Sequence, residues 1–241
     1  MVYNWLKRHL SRILPQQCLL CLASINNASS LCPSCQNDLP VNYAHCIICS
    51  VPLIAAQYTA SPLRCGKCQK SPPHYTTSFI PYIYASPLNQ LISQFKFNAN
   101  MSYVPLLADS FLKKFIPRQS LPECIIPVPL HSQRLHERGF NQSIELARLI
   151  AKPLNIHVDS NVVTRNKQTQ FQSALNSKQR QQNLKNAFSI SKKHHYKHVA
   201  ILDDVVTTGT TVNELSKILR NSGVEIIEVW ALARTPDKAS S

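Results

Sequence analysis

Glycine is nearly missing from this chain, with four residues in 241 where average usage gives about 17. So few glycines are expected to sit where the backbone needs them, at turns and helix caps. Acidic residues are scarce as well, 12 Asp and Glu against 26 Lys and Arg, leaving a net charge of +14. That excess predicts polyanionic partners, such as nucleic acid, phosphorylated small molecules or an anionic membrane surface. The plainer alternative is a basic surface kept for solubility. No run approaches the 18 or so uninterrupted apolar residues of a membrane span, which argues against a transmembrane protein. Met1 to Ser30 contain no apolar core ending in a small-residue cleavage site, so no secretory signal is expected and a cytoplasmic location is. Hydrophobic residues at 44% and charged residues at 16% exclude global disorder.

Cysteine is abundant, and it is concentrated at one end. Eight of the nine form four C-x2-C pairs within the first 68 residues: Cys18 and Cys21, Cys32 and Cys35, Cys46 and Cys49, Cys65 and Cys68. In a reducing compartment such repeats read as zinc knuckles, because a two-residue gap presents two thiolates to one tetrahedral ion at about 2.3 Å. A disulfide framework would require export, and a redox dithiol is the remaining alternative. Eight thiolates suffice for two four-cysteine sites, paired sequentially or cross-braced, so one or two structural Zn2+ are expected. Four thiolates leave no open position for water, which makes the sites structural. They also staple a segment with too little core to stand alone. Gly66, inside Cys65-Gly-Lys-Cys68, is expected to supply a flexible turn. Ahead of the knuckles, Trp5, Leu6, His9, Leu10, Ile13 and Leu14 recur at helical spacing, predicting a docked helix.

Lys70-Ser-Pro-Pro73 marks a boundary, dividing the chain into a helix and zinc module over 1–73 and a larger domain over 74–241. The second part alternates strand and helix patterns, predicting an α/β fold with a doubly wound parallel sheet. Strands are expected over 78–84, 124–128, 161–164, 199–202 and 226–232, and helices over 88–95, 104–115, 143–151 and 211–220. Gly223 is expected to close the last helix.

The chemistry concentrates in Val199-Ala-Ile-Leu-Asp-Asp-Val-Val-Thr-Thr-Gly-Thr-Thr211. An apolar strand delivers Asp203 and Asp204 at its carboxyl end, where open α/β sheets bind ligands. Gly209 permits a sharp turn, and Thr207, Thr208, Thr210 and Thr211 surround a helix N-terminus suited to a phosphate. Carboxylates repel phosphate, so the two acids must face ribose hydroxyls or Mg2+. This stretch resembles the signature of the type I phosphoribosyltransferases, which bind 5-phosphoribosyl-1-pyrophosphate. Upstream, Ile125 to Gln142 runs from a strand end into a basic turn offering His131, Arg134, Arg138 and Gly139. In a phosphoribosyltransferase-like topology that position is the pyrophosphate loop.

With the cysteine pairs in view the resemblance narrows. The sequence is similar to the ComF family of competence-associated proteins, GntX-type members included, over nearly its whole length. The residues carrying it are the four C-x2-C pairs, Tyr84-x2-Pro87 with Lys96-Phe97, Pro127-Val-Pro-Leu with Arg134 and Arg138-Gly-Phe-Asn-Gln142, the stretch from Arg165 to Phe188, and the Asp203-Asp204 signature. Asn98-Ala-Asn100 departs from the pattern, where relatives often carry a basic residue and glycine, which weakens a ligand role for Lys96. The resemblance implies a double zinc ribbon and a role in uptake of transforming DNA on the cytosolic side. Single-stranded DNA and competence-machinery proteins are its implied partners. Between Arg165 and His198 lie eight Lys or Arg and no acid. In the enzyme fold this segment corresponds to the loop that closes over the reaction. In a binding protein Arg165, Lys178, Arg180 and Lys185 would track a nucleic-acid backbone, and Phe171, Phe188 and Tyr196 would either stack on bases or, as aromatics more commonly do, pack in the core. Three functions stay open: DNA handling with a phosphoribosyl-pyrophosphate or phosphorylated-ribose site, pentosyl transfer to an unknown nucleobase-like or nucleic-acid acceptor, and a zinc-scaffold interaction protein.

Overall fold

The structure, a computed structural model, describes residues 16–25, 30–53, 63–97, 100–116, 120–166 and 187–237. The expected helix over residues 5–14, and Phe171, Lys178, Arg180 and Lys185, lie outside the described residues. The chain opens with a two-stranded antiparallel ribbon, β1 (Gln16–Gln17) and β2 (Ser24–Ile25), with Cys18 and Cys21 in its turn. Two short helices follow, α1 (Pro33–Asn37) and α2 (Gly66–Lys70), each capped by a cysteine. Cys32 accepts from the Cys35 amide and Cys65 from the Cys68 amide, through sulfur at 3.4 and 3.5 Å. Because the thiol itself organises the turn, Gly66 is not needed for it. It lies in the first turn of α2 without a positive φ, and a Cβ there would meet nothing within 4 Å. Gly139, Gly209 and Gly223 do adopt positive φ, at 76°, 76° and 100°.

The larger part runs β3 (Thr77–Phe79), β4 (Tyr82–Ile83), α3 (Leu88–Phe97), α4 (Tyr103–Lys114), β5 (Cys124–Pro127), α5 (Ser132–Arg138) and α6 (Gln142–Leu154). It continues with β6 (His157–Val158), β7 (Val163–Arg165), β8 (Phe188–Ile190), β9 (His198–Val206), α7 (Thr210–Asn221) and β10 (Ile226–Arg234). The main sheet has the order β3-β10-β9-β5-β6, parallel throughout, with β4 joining the far end of β10. Strands β5, β9 and β10 are near-continuous apolar runs because helices cover both faces of the sheet. Along β9, Val199 and Ile201 pack into a layer with Val212, Leu215 and Leu219 of α7. Ala200 and Leu202 face the opposite layer, with Phe95 of α3, Phe111 of α4 and Leu146 and Ile150 of α6. The cysteine module is fused to this body. Cys46, Cys49, Cys65 and Cys68 belong to the α7 layer, whereas Cys18, Ile25, Leu31 and Leu39 belong to the other.

Several elements differ from the sequence expectation, and the strand expected over 78–84 is divided into β3 and β4. The strand expected over 161–164 is β7, but it pairs antiparallel with β8 outside the main sheet. The second strand of the expected sheet's β5 edge is instead β6, two residues long. The first long helix of the second half of the sheet, α6, continues past Ala151 through Pro153 to a left-handed cap at Asn155. Proline in a last turn forfeits a single backbone hydrogen bond. The topology matters most at β5 and β9. From β5 the chain crosses through α6 to β6 on one side, and from β9 through α7 to β10 on the other. Adjacent parallel strands whose connections part in this way leave a crevice at their carboxyl ends, where open α/β sheets bind ligands.

Candidate phosphoribosyl site and cysteine clusters

Asp203 and Asp204 lie within β9, three and two residues before its end at Val206, rather than beyond it. Each carboxylate folds back on its own strand: Asp203 accepts the Asp204 amide at 2.9 Å and Asp204 the Val205 amide at 2.7 Å. Asp203 also accepts from Ser143 Oγ at 3.2 Å. Burial, then the neighbouring Asp204 charge, push the Asp203 carboxyl up to about 7. Asp204 is buried and pairs with Lys96 Nζ at 2.8 Å. Burial pulls the Lys96 ammonium down, but Asp204 and Asp203 more than offset that, leaving its pKa raised. The lysine from α3 therefore stands directly on the acid pair, a placement the departure at residues 98–100 did not suggest.

The loop from Thr207 to Gly209 carries β9 into α7. Gly209 is its hinge, at φ 76°, and stands as the N-cap of α7. Thr208 and Thr210 hydroxyls lie 2.8 Å apart, and the Thr210 amide reaches Thr208 Oγ1 at 3.4 Å. With Thr211 on the first turn, the loop offers amides and hydroxyls around a helix N-terminus, the arrangement that holds an anion.

Across the crevice, the expected basic turn is a short helix. His131 caps α5 by accepting from the Gln133 amide at 3.3 Å, and Gly139 closes it in the left-handed conformation. Asn141 then ties the end of β5 to α6, donating to Val128 O at 3.1 Å and accepting from the Ser143 amide at 2.9 Å. Arg134 and Arg138 thus hang from a framework fixed at both ends. Burial and Arg134 pull the Arg138 pKa down while Asp204 pushes it back up. Burial and Arg134 likewise lower Arg165, opposed by Asp203. Arg165 was grouped with the loop cations on sequence. It lies at the end of β7, its guanidinium 5.5 Å from the Phe188 ring and within electrostatic reach of Arg134 and Asp203. Arg138 is thus within electrostatic reach of Asp204, Arg165 of Asp203, and Arg134 of both guanidiniums. Ser143 and Lys96 adjoin the acid pair; Lys96 stands in the family pattern, whereas Ser143 carries no signal in the sequence.

The cysteines form two clusters, Cys18/Cys21/Cys32/Cys35 and Cys46/Cys49/Cys65/Cys68, with the four sulfurs of each within 4.8 Å of one another. The pairing is sequential. Sulfurs of Cys21 and Cys32, and of Cys49 and Cys65, are 3.7 Å apart. That is about the edge of a tetrahedron around zinc with 2.3 Å bonds and far from the roughly 2.05 Å of a disulfide. Four thiols so close cannot all ionise by themselves. A hydrogen bond from Cys49 pulls Cys46 down to about 4, while burial pushes Cys68 up to about 12. A dication relieves that conflict, so the donor sets fit structural zinc.

The double zinc ribbon domain family matches residues 9–70, and the phosphoribosyl transferase domain family matches residues 140–241. Competence protein F of Haemophilus influenzae is 39% identical over 228 residues, covering 90% of this chain and 96% of that protein. DNA utilization protein YhgH of Escherichia coli K12 is 34% identical over 223 residues, 90% of each chain. Competence protein ComFC of Streptococcus pneumoniae is 24% identical over 161 residues, 64% of this chain and 66% of that one. Identity at this level spans the cysteine clusters and the sheet alike, and the chain belongs to the ComF family.

Proposed function

We propose that this protein binds 5-phosphoribosyl-1-pyrophosphate with Mg2+ at the carboxyl ends of β5 and β9, and that it serves competence in the cytoplasm by handling incoming single-stranded DNA. The observation carrying the ligand assignment is the Asp203-Asp204 pair near the end of β9 leading straight into the threonine loop and the α7 N-terminus, with Arg138 and Arg165 within electrostatic reach of the acids. Each part matches one part of the ligand. The 5'-phosphate seats on Thr207–Thr211 at the α7 N-terminus. Asp203 and Asp204 take the ribose hydroxyls, and Arg134, Arg138 and Arg165 face the pyrophosphate. Mg2+ would supply the positive charge that lets a pyrophosphate approach two carboxylates. Lys96 holds that charge at Asp204 in this structure. The competence role rests on the names of the relatives, and the DNA on the charge of +14.

A second reading, pentosyl transfer to a nitrogen acceptor, is favoured by Asp203 alone. A carboxyl pushed up to about 7 is suited to exchange a proton with an acceptor near neutral pH. Calorimetry with the donor, with and without Mg2+, tests the site. The Asp203→Asn/Asp204→Asn variant is expected to lose at least roughly tenfold in affinity, from about 1.5–3 kcal/mol per charge-assisted bond. Unchanged affinity in the folded variant refutes the assignment. Pyrophosphate release, measured with and without single-stranded DNA, separates turnover from binding.

A further inference from the structure

We infer that Arg234 is a positioning residue that couples the second cysteine cluster to the threonine loop, so that metal at one and a phosphorylated ribose at the other stabilise each other. This rests on the proposed ligand site. Arg234 ends β10 and is 3% exposed. Its Nε donates to the Cys49 carbonyl at 3.1 Å. Its Nη1 donates to the carbonyls of Val206, Thr207 and Thr235. Cys49 is a donor of the second cluster, and Val206 and Thr207 open the loop. One rigid planar fork therefore holds the backbone of a metal ligand and the backbone of the phosphate loop together. A buried guanidinium ordinarily takes a carboxylate in close bidentate geometry. Here the acid within range, Asp237, is 3.9 Å away, and the near partners are backbone carbonyls. Nε and Nη1 of Arg234 are committed to fixing two loops, while Nη2 faces Asp237.

A second contact runs in parallel. Tyr75 is buried in the same apolar layer as Cys46, Cys49, Cys65, Cys68, Val206 and Val212. Its hydroxyl stands 3.9 Å from the position a Cβ would take on Gly209, the loop's hinge. The second cluster is thus the backing of the loop. The first cluster packs in the opposite layer with α3, α4 and α6, which makes it an internal control.

Coupling between two binding events is reciprocal. The test therefore follows zinc loss from the full-length, zinc-loaded protein to a zinc-selective chelator, with ribose 5-phosphate as probe. Cys18→Ser and Cys65→Ser assign the release phases to their clusters. Saturating ribose 5-phosphate is expected to slow release from the second cluster at least about fivefold, the lower end of ordinary coupling, and to leave the first unchanged. Arg234→Lys keeps the charge but not the fork. It is expected to lose that protection and to bind the probe correspondingly more weakly. Wild-type protein that does not bind ribose 5-phosphate overturns the ligand site together with the coupling. Normal binding with unprotected zinc, or full protection in a folded Arg234→Lys, overturns the coupling and spares the site. Should the variant fail to fold, the wild-type comparison of the two clusters decides alone.

Discussion

At the scale of single residues, the site is organised around a carboxyl that prefers its proton. Asp203 is pushed up to about 7 from an ordinary 3.8, first by its removal from water and then by Asp204 beside it. The folded protein holds that proton more tightly than the unfolded chain does. Its contribution to stability therefore falls as pH rises from about 4 to about 7, and the cost is complete above that window. Asp203→Asn is expected to flatten the pH dependence across that range and to stabilise at pH 8 by on the order of 1–3 kcal/mol. Thermal melts at pH 5 and pH 8 check it, and an unaltered slope in the variant would rule the account out. Lys96 carries the opposite expectation. Lys96→Met leaves Asp204 without the partner it has at 2.8 Å, costing about 1–3 kcal/mol. Mg2+ should restore part of that loss if the metal and the ammonium serve the same carboxylate.

At the scale of elements, two glycines separate conformational need from mere presence. Gly209 sits at φ 76° between β9 and α7, and a Cβ there would meet its nearest neighbours at an ordinary 3.9 Å. Space is available, so the penalty of Gly209→Ala is the left-handed backbone, about 1–2 kcal/mol. Affinity for the donor should fall further if the proposed site is right, because relaxing the loop moves the amides assigned to the phosphate. Gly66 has no positive φ and nothing nearby. Gly66→Ala in α2 is expected to be neutral or stabilising by up to about 1 kcal/mol. Denaturant unfolding of the pair measures both, and equal losses would contradict the distinction. The β7–β8 hairpin has a comparable role for the basic segment. Arg165 and Phe188 are register partners, so the two ends of the basic segment lie side by side.

At the scale of the molecule, the charge is spread rather than local. Residues 165–198 hold eight Lys or Arg and no acid within a total of +14. A phosphorylated donor needs about three or four cations, of which the proposed site supplies Arg134, Arg138 and Arg165, so most of the surplus is left for a larger polyanion. If a strand contacts Z phosphates, log affinity should fall with log salt at a slope of about −0.7Z. Reversing Lys178, Arg180 and Lys185 to Glu should weaken binding to every sequence and flatten that slope, whereas loss of stacking at Phe171 should be insensitive to salt. Salt-titrated anisotropy measures both. No binding of single strands at low ionic strength would remove direct DNA contact from the proposed function.

Features built from residues close together along the chain were legible without the fold. The C-x2-C knuckles, the apolar strand bearing Asp203 and Asp204, and the threonine turn are each built within a few consecutive residues, so local spacing suffices to read them. Strands of two or three residues, such as β6 and β8, carry no periodicity and escape that reading. The tertiary structure decided whatever joins distant segments. It paired the cysteines sequentially, set Ser143 on Asp203 across 60 positions and Arg234 on Cys49 across 185, and brought Lys96 and Arg165 to the acid pair. A hydrogen bond or ion pair between remote residues leaves no pattern in either neighbourhood. It exists because the sheet, with its apolar layers on both faces, brings the carboxyl ends of its strands to one edge.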